Sequence, residues 1–356
     1  MSGESLVGKN LLGPELISEG SDSELDTPEL LARPRRLRRT PAMRRLVREV
    51  RLNPADLVLP LFYKEGLTEP QEIPSMPGVY QHSLDSLKAA ANEVAELGLG
   101  GLMLFGVPAT RDPEGSGATD PNGALSVAVR EVADEVAGST VIMADLCLDE
   151  FTSHGHCGVL GPDGSVDNDQ TLEQYQKMAV LLGDCGVDMV GTSGMMDGQV
   201  GAVREALDFV GLSEVGIIAY GAKYASALYG PFRDAVESEL EGDRKTYQQD
   251  SSNRVEGWRE AQLDVEQGAD IVMVKPAGMY LDVVSDVAAS VEVPVAAYQV
   301  SGEYAMIEAS AQFGMNRDQL AYESLLSIKR AGADIVLTYY AKQAATSWIQ
   351  NAEEWG

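Results

Sequence analysis

The sequence predicts a (β/α)8 barrel, and three observations carry the prediction. Short apolar segments that suit buried strands alternate with longer segments whose apolar residues recur at helical spacing. From residue 58 onward this strand-then-helix alternation occurs eight times. The chain has 356 residues, which accommodates a barrel of about 250 residues and an extension. An open doubly wound sheet is the alternative, but no predicted strand is followed by G-x-G-x-x-G.

The predicted strands are short and mostly apolar. In chain order they are VLPLFY at 58, GLMLFG at 101, VIMADL at 141, DMVGTS at 188, GIIAYG at 216, IVMVKP at 271, VPVAAYQV at 293 and IVLTYY at 335. The segments between them, such as SLDSLKAAANEVAELG and DQLAYESLLSIKRAGAD, place glycine near their ends, where helices commonly stop. Each strand is therefore followed by a segment that can cover the outside of the barrel.

Upstream of the barrel, the chain divides into an acidic and a basic part. Residues 1–33 are rich in Ser, Glu, Asp and Gly and are predicted to form a disordered tail. Residues 34–57 are predicted to form a basic arm, and residues 58–356 the barrel. In a chain of net charge −28, an arm rich in arginine favours docking onto an acidic neighbouring subunit. A solvated amphipathic arm is the alternative.

Composition excludes several classes of function. The net charge of −28 opposes binding to nucleic acid and to anionic membranes, and any anionic substrate needs locally placed cations. Three cysteines do not make a disulfide framework in a chain of this length, which favours a reducing compartment. No signal-peptide pattern is present, and no stretch approaches the roughly 20 apolar residues of a membrane span. We therefore predict a cytoplasmic protein without membrane or nucleic-acid partners.

Polar residues at the carboxyl ends of the predicted strands define a candidate active site, because active sites of such barrels lie there. These residues are Asp145, Ser193, Lys223, Lys275, Ser301 and Tyr339. Lys223 and Lys275 end adjacent strands, so each ammonium disfavours the charge of the other, and apolar walls add desolvation. Both effects lower the pKa of an amine, and a neutral amine attacks a carbonyl carbon. The pair favours Schiff-base chemistry, with structural ion pairs to carboxylates as the alternative.

The longest loop of the predicted barrel follows its fifth strand and reads KYASALYGPFRDAVESELEGDRKTYQQDSSNRVEG. Long loops in compact domains commonly act as lids or binding loops. This loop carries Arg233, Arg244, Lys245 and Gln248, which can clamp a carboxylate if the loop folds over the barrel mouth. A solvated surface loop with scattered charges is the alternative.

Several motifs, in order from about residue 34 to the end, resemble the porphobilinogen synthase family, also called 5-aminolevulinate dehydratase. They are DLCLDEFTSHGHCG, MMDG, AKYASALYGPFRDA, GDRKTYQ, VMVKP with YLD, and VSGEYAM. The family condenses two molecules of 5-aminolevulinate into the pyrrole porphobilinogen for tetrapyrrole (haem) biosynthesis. The resemblance implies a hydro-lyase built as a TIM barrel with an extended N-terminal arm, assembled as a homo-octamer and working without an organic cofactor.

The resemblance also implies roles for individual residues. Lys275, in VMVKP, matches the Schiff-base lysine, and Lys223, in AKYAS, matches the second lysine of the family. Asp145 matches a carboxylate beside the site that is suited to moving protons. Contacts to substrate are implied for Arg233, Arg244, Gln248, Ser301, Tyr339 and Ser193.

The metal ligands depart from the most frequent family pattern. Where many members carry three cysteines on a catalytic zinc, this chain has Cys147, Asp149 and Cys157. Two thiolates and a carboxylate can bind zinc, but we predict no tightly held zinc and an activity that responds to magnesium. The resemblance places an allosteric Mg²⁺ at Glu260, and an exposed helix glutamate is the alternative there.

Gly194, in GTSGMMDG, stands where the family commonly has an aspartate. This departure and the incomplete cysteine set raise the hypothesis of a catalytically silenced homologue that serves as a structural oligomer. A class I Schiff-base aldolase is a further alternative, motivated by Lys275 alone. Retention of both lysines and both groups of carboxylate contacts favours porphobilinogen synthase.

Overall fold

The computed structural model describes residues 32–240 and 242–352, and the chain separates into two compact units, 1–47 and 48–356. All but the last two residues of the predicted acidic tail lie outside the described residues. In the first unit a 3₁₀ helix spans Pro34–Arg38 and α1 spans Pro41–Leu46. Thr40 caps α1, because its side chain accepts a hydrogen bond from the Met43 amide at 3.1 Å. No residue of these two helices is buried.

The second unit contains a closed parallel barrel, which confirms the predicted fold. Its strands are β1 (Leu57–Lys64), β2 (Gln71–Glu72), β3 (Tyr80–His82), β4 (Gly101–Val107), β5 (Ile142–Leu146), β6 (Met189–Thr192), β7 (Gly216–Lys223), β8 (Ile271–Lys275), β9 (Val295–Gln299) and β10 (Ile335–Thr338). All except β2 and β3 form the ring, in chain order. The ring closes where β10 pairs in parallel with β1, with Leu57 opposite Val336.

Helices follow the barrel strands. They are α2 (Leu84–Glu96), α3 (Ala124–Val136), α4 (Asn168–Asp184), α5 (Gln199–Phe209), α6 (Gly230–Val236), α7 (Arg254–Glu266), α8 (Leu281–Ser290), α9 (Ser301–Ser310), α10 (Arg317–Ala331) and α11 (Ala341–Gln343). In α2 the buried residues Leu87, Ala90, Ala91 and Val94 recur every three or four positions, which places them on one face. Among the described residues, no helix combines the length and apolar character needed to cross a bilayer.

The strands are apolar because the barrel buries both of their faces. Every residue of β4 and of β8 is buried, including Lys275 at the end of β8. Between β7 and β8 the pairing register shifts between Ala219 and Ala222. After this irregularity Lys223 pairs directly with Lys275. Since paired strands lie about 4.8 Å apart, the barrel places the two lysines side by side.

Candidate active site

Lys223 and Lys275 occupy the carboxyl ends of β7 and β8, as the sequence predicts. Both are buried, with 4% and 5% of their surface exposed. Lys223 Nζ donates a hydrogen bond to the Ser193 carbonyl oxygen at 2.6 Å. The Ser193 hydroxyl in turn donates to Asp145 Oδ2 at 3.0 Å. This chain of contacts joins the ends of β5, β6 and β7 in one buried polar group.

Aromatic rings enclose the amine of Lys275. Its Nζ lies 4.4 Å from the ring centroid of Tyr298, 5.2 Å from those of Tyr220 and Phe232, and 5.4 Å from that of Tyr229. Burial and, after it, the charge of Lys223 lower the pKa of Lys275 from 10.5 to about 7, and the nearby carboxylates oppose this shift. A large fraction of this amine is therefore neutral and nucleophilic near pH 7.

The pKa of Lys223 moves in the opposite direction. Burial alone would lower it, but Cys157, Cys147 and Asp149 raise it above the usual value for lysine. The expectation that pairing lowers both pKa values is therefore wrong for Lys223, because acidic groups of the 147–157 segment favour its charged form. The two amines therefore differ, since the surroundings favour the neutral form of Lys275 and the charged form of Lys223.

Asp145 has the properties of a proton carrier. Burial raises the pKa of this carboxyl group to about 6, although Lys223 and Lys275 both lower it. Its Oδ1 atom is buried and has no hydrogen-bond partner among the described residues. A carboxyl group with a pKa close to neutral pH can both accept and release a proton. The arrangement thus leaves one oxygen of Asp145 available to a bound molecule.

Cys147, Asp149 and Cys157 form a buried cluster. One ligand atom from each, two sulfurs and a carboxylate oxygen, lie within 4.8 Å of one another. Arg244 Nη2 donates to Asp149 Oδ2 at 2.8 Å. Burial raises the pKa of Asp149, but Arg244 and Lys223 more than offset this and hold it below its usual range. The cluster fits a metal ion, and its two sulfurs suit zinc better than magnesium.

The loop after β7 covers the lysines. Its helix α6 supplies Phe232 and Arg233, and Arg244 lies further along the chain. One cavity is lined by Phe105, Asp145, Asp149, Ser193, Lys223, Tyr229, Phe232, Arg233, Arg244 and Lys275. Its free volume is only about 20 Å³, which is space for roughly one water molecule. The covering segment must therefore move before a larger molecule reaches Lys275.

Three of the six residues with implied substrate contacts lie outside the lining of this cavity. Gln248 is buried in the same loop, and its Nε2 has no partner among the described residues. The Ser301 hydroxyl accepts a hydrogen bond from the Phe232 amide at 2.9 Å. The Tyr339 and Tyr298 hydroxyl oxygens are 3.1 Å apart. Ser301 and Tyr339 are thus hydrogen-bonded to Phe232 and Tyr298, two of the residues whose rings enclose Lys275.

Glu260, on α7, lies at a separate cavity of about 430 Å³. It is half-buried, unlike the exposed helix glutamate considered as an alternative. Its Oε2 atom accepts a hydrogen bond from Gln249 Nε2 at 2.7 Å. Asp197 and Glu256 line the same cavity, so it has further carboxyl groups besides that of Glu260.

Tyr175 accounts for the glycine at position 194. A Cβ atom built on Gly194 would lie 1.7 Å from the Tyr175 hydroxyl oxygen. That hydroxyl donates to the Cys157 carbonyl oxygen at 2.5 Å and lies 4.0 Å from Cys147 Sγ. The phenol therefore fills the space that a side chain at position 194 would enter. The sequence reasoning missed Tyr175, and the only signal for it was the unusual glycine.

The fold and the paired amines define a class of protein: a (β/α)8 barrel with two buried, adjacent lysines at the carboxyl ends of its strands. The chain belongs to the delta-aminolevulinic acid dehydratase family, whose model matches residues 31–347. This confirms the family predicted from the sequence motifs.

Individual members of the family are similar to this chain in sequence and in structure. The delta-aminolevulinic acid dehydratase of Streptomyces coelicolor is 60% identical over 317 residues, covering 88% of this chain and 96% of the relative. That of Mycobacterium tuberculosis H37Rv is 57% identical over 320 residues, covering 89% and 97%. The Toxoplasma gondii ME49 enzyme, solved in complex with the reaction product porphobilinogen, superposes with a TM-score of 0.86 at 42% identity. That match covers 89% of this chain and 91% of that chain.

Proposed function

We propose that the chain is a porphobilinogen synthase, a hydro-lyase that condenses two molecules of 5-aminolevulinate into porphobilinogen in tetrapyrrole biosynthesis. The observation that carries the proposal is the direct pairing of two buried lysines whose pKa values are shifted in opposite directions. Membership of the dehydratase family supports it. The cytoplasm is the proposed compartment, because none of the three cysteines forms a disulfide.

In the proposed reaction, Lys275 forms the covalent intermediate. Its neutral amine attacks the ketone carbon of one 5-aminolevulinate, and a carbon–nitrogen bond forms. The carbon–oxygen bond then breaks, and the oxygen leaves as water with one proton from the amine and one from the protonated carboxyl group of Asp145, which gives an iminium. The iminium draws electrons from the adjacent carbon, so a proton there becomes removable. Asp145 is the proposed acceptor, because its free oxygen lies in the same cavity as both lysines.

The carboxylates of the two substrates require cations and hydrogen-bond donors. Arg244 Nε and Gln248 Nε2 are buried donors without partners among the described residues, which is the state expected of groups that bind a ligand. We assign these donors, with Arg233, to one substrate carboxylate. Ser301 and Tyr339 are assigned to the other carboxylate, and Ser193 to the side of the site that holds Lys223.

An assay for pyrrole after incubation with 5-aminolevulinate tests the proposed function. Pyrrole formation, together with a borohydride-trapped adduct on a lysine, is the expected result. Cleavage of a sugar phosphate without pyrrole formation would favour a class I aldolase. A folded protein that yields neither pyrrole nor adduct would favour a silenced structural homologue, since a scaffold has no use for a neutral buried amine.

A metal at Cys147, Asp149 and Cys157 would act as a Lewis acid that polarises a substrate oxygen. Arg244 already engages Asp149, so we expect this mixed set to hold zinc less tightly than three thiolates. A zinc-selective chelator should therefore leave most of the activity intact. Elemental analysis is the check, before and after chelation. About one zinc per chain, lost together with activity, would overturn the expectation, and Cys157→Ala would then lose both.

Glu260 is proposed as the ligand of an allosteric magnesium ion. Mg²⁺ retains several waters and needs only one or two carboxylates, which the cavity around Glu260 offers. Glu260→Ala should remove stimulation by magnesium and leave the metal-free activity unchanged. Glu266→Ala, at an exposed position of the same helix, is the control and should retain stimulation. Assays across a magnesium titration distinguish the two, and stimulation that persists in Glu260→Ala would reject the site.

The basic segment before the barrel is proposed to hold subunits together in a homo-octamer. Nine arginines lie between residues 33 and 51 of a chain with net charge −28, so acidic surfaces of other subunits attract this segment. Deleting residues 1–45 should give smaller oligomers by light scattering and lower activity. Deleting only residues 1–31, the acidic stretch, is the control. An unchanged mass for the longer deletion would contradict the proposal.

A further inference from the structure

A buried carboxyl group lies next to the segment that follows β8 and has no role in the chemistry above. Glu303, the third residue of α9, is 7% exposed. Its oxygens accept hydrogen bonds from three backbone amides, of Gly278 at 2.6 Å, Val300 at 2.8 Å and Ala277 at 3.4 Å. Within the described part of the chain, no cation affects its charge. Burial raises the pKa of Glu303 to about 7, and the three backbone amides oppose this shift.

The three amides come from two strand ends. Ala277 and Gly278 follow Lys275 at the end of β8, and Val300 follows β9 immediately before Ser301. The loop must come very close to the carboxylate, because a Cβ on Gly278 would lie 2.5 Å from Glu303 Oε1. A single side chain thus connects the segment that follows Lys275 with the first turn of the helix that carries Ser301.

We propose that Glu303 is a positioning residue that sets the direction of the Lys275 amine by holding the 276–278 segment against the start of α9. A helix cap alone does not explain the arrangement, since the bond to Val300 is the only one of the three that caps α9. The other two reach across to the loop after β8. Burying a carboxylate without a cation costs stability. An apolar side chain would cover the 276–278 segment without this cost.

The inference rests on the proposed Schiff-base function and is tested by adduct formation rather than by turnover alone. Glu303→Gln keeps the length of the side chain but offers one acceptor oxygen and turns an NH₂ group towards amide donors. Gly278→Ala disturbs the same contact from the other side. Both should slow the borohydride-trapped adduct on Lys275 and lower kcat by roughly 10- to 100-fold, with little change in KM, because a displacement of about 1 Å can cost about 100-fold.

Glu308→Gln is the matched control. Glu308 lies on the same helix and forms an ion pair with Arg317, away from the 276–278 segment. We expect this variant to lower the thermal midpoint and to leave the rate of adduct formation unchanged. Glu303→Gln should slow adduct formation whatever its effect on the thermal midpoint, because it releases the loop. The comparison separates a loss of packing stability from a loss of amine alignment.

The combined variant Glu303→Gln with Gly278→Ala should be no slower than the slower single variant, since both disrupt one contact. Additive losses, or a parental adduct rate in folded Glu303→Gln, would overturn the inference and leave the proposed function standing. If Glu303→Gln does not fold, an unchanged adduct rate in Gly278→Ala overturns it equally. A parent protein that forms neither adduct nor pyrrole would overturn the proposed function and this inference with it.

Discussion

Replacing Lys275 by alanine is expected to abolish porphobilinogen formation and the borohydride-trapped adduct. The amine of Lys275 is the proposed nucleophile, since burial among four aromatic rings lowers its pKa to about 7. Removal of a covalent nucleophile leaves only the effects of binding and orientation, so the loss should exceed about 1,000-fold. Mass spectrometry of the reduced protein measures the adduct directly.

Lys223→Ala is the comparison that assigns the roles of the two lysines. This variant should lose most turnover but still form an adduct on Lys275. In the parent, adduct formation should accelerate as the pH rises through about 7, where the Lys275 ammonium loses its proton. Removing Lys223 removes a like charge, so the midpoint should move to higher pH. Adduct at parental yield in Lys275→Ala, or a parental midpoint near 10.5, would contradict the assignment.

The fold was predictable because each strand and helix of the barrel can be recognised from its own stretch of sequence. Apolar strands buried on both faces and amphipathic helices leave periodic signals in consecutive residues. The rule that active sites lie at the carboxyl ends of strands then identified Asp145, Lys223 and Lys275 without any contact information. The length and charges of the loop after the fifth predicted strand indicated Arg233 and Arg244, which the structure brings to the same cavity.

The direction of the Lys223 pKa shift could not be predicted in this way. It depends on how the 147–157 segment folds back beside β7, and no periodicity encodes that loop. The aromatic enclosure of Lys275 was missed for a similar reason, because its rings come from β7, the lid and β9. Glu303 was not identified from the sequence, because it lies 25 positions after Gly278 along the chain. Long-range contacts of this kind become visible only in the folded chain.

A second substitution with a large expected effect, here on stability, is at position 194. Gly194→Ala should lower the free energy of unfolding by about 1–3 kcal/mol, the usual cost of adding atoms to a packed core. The added Cβ would lie 1.7 Å from the hydroxyl oxygen of Tyr175, which is fully buried and cannot swing into solvent. Displacing the phenol would also break its hydrogen bond to the Cys157 carbonyl, worth about 1 kcal/mol. Denaturant unfolding measures the difference in the free energy of unfolding.

Two further variants isolate the cause of this loss. Gly230→Ala is the control, because a Cβ there meets open space, and it should change the free energy of unfolding little. Tyr175→Leu removes the hydroxyl that obstructs position 194, so Gly194→Ala should cost less in that background, with a coupling of about 0.5–3 kcal/mol. Equal costs in both backgrounds would show that Tyr175 does not determine the glycine. A reduced cost would mean that the phenol of Tyr175 leaves room only for glycine at position 194. A larger residue at position 194 would then require a smaller side chain at position 175.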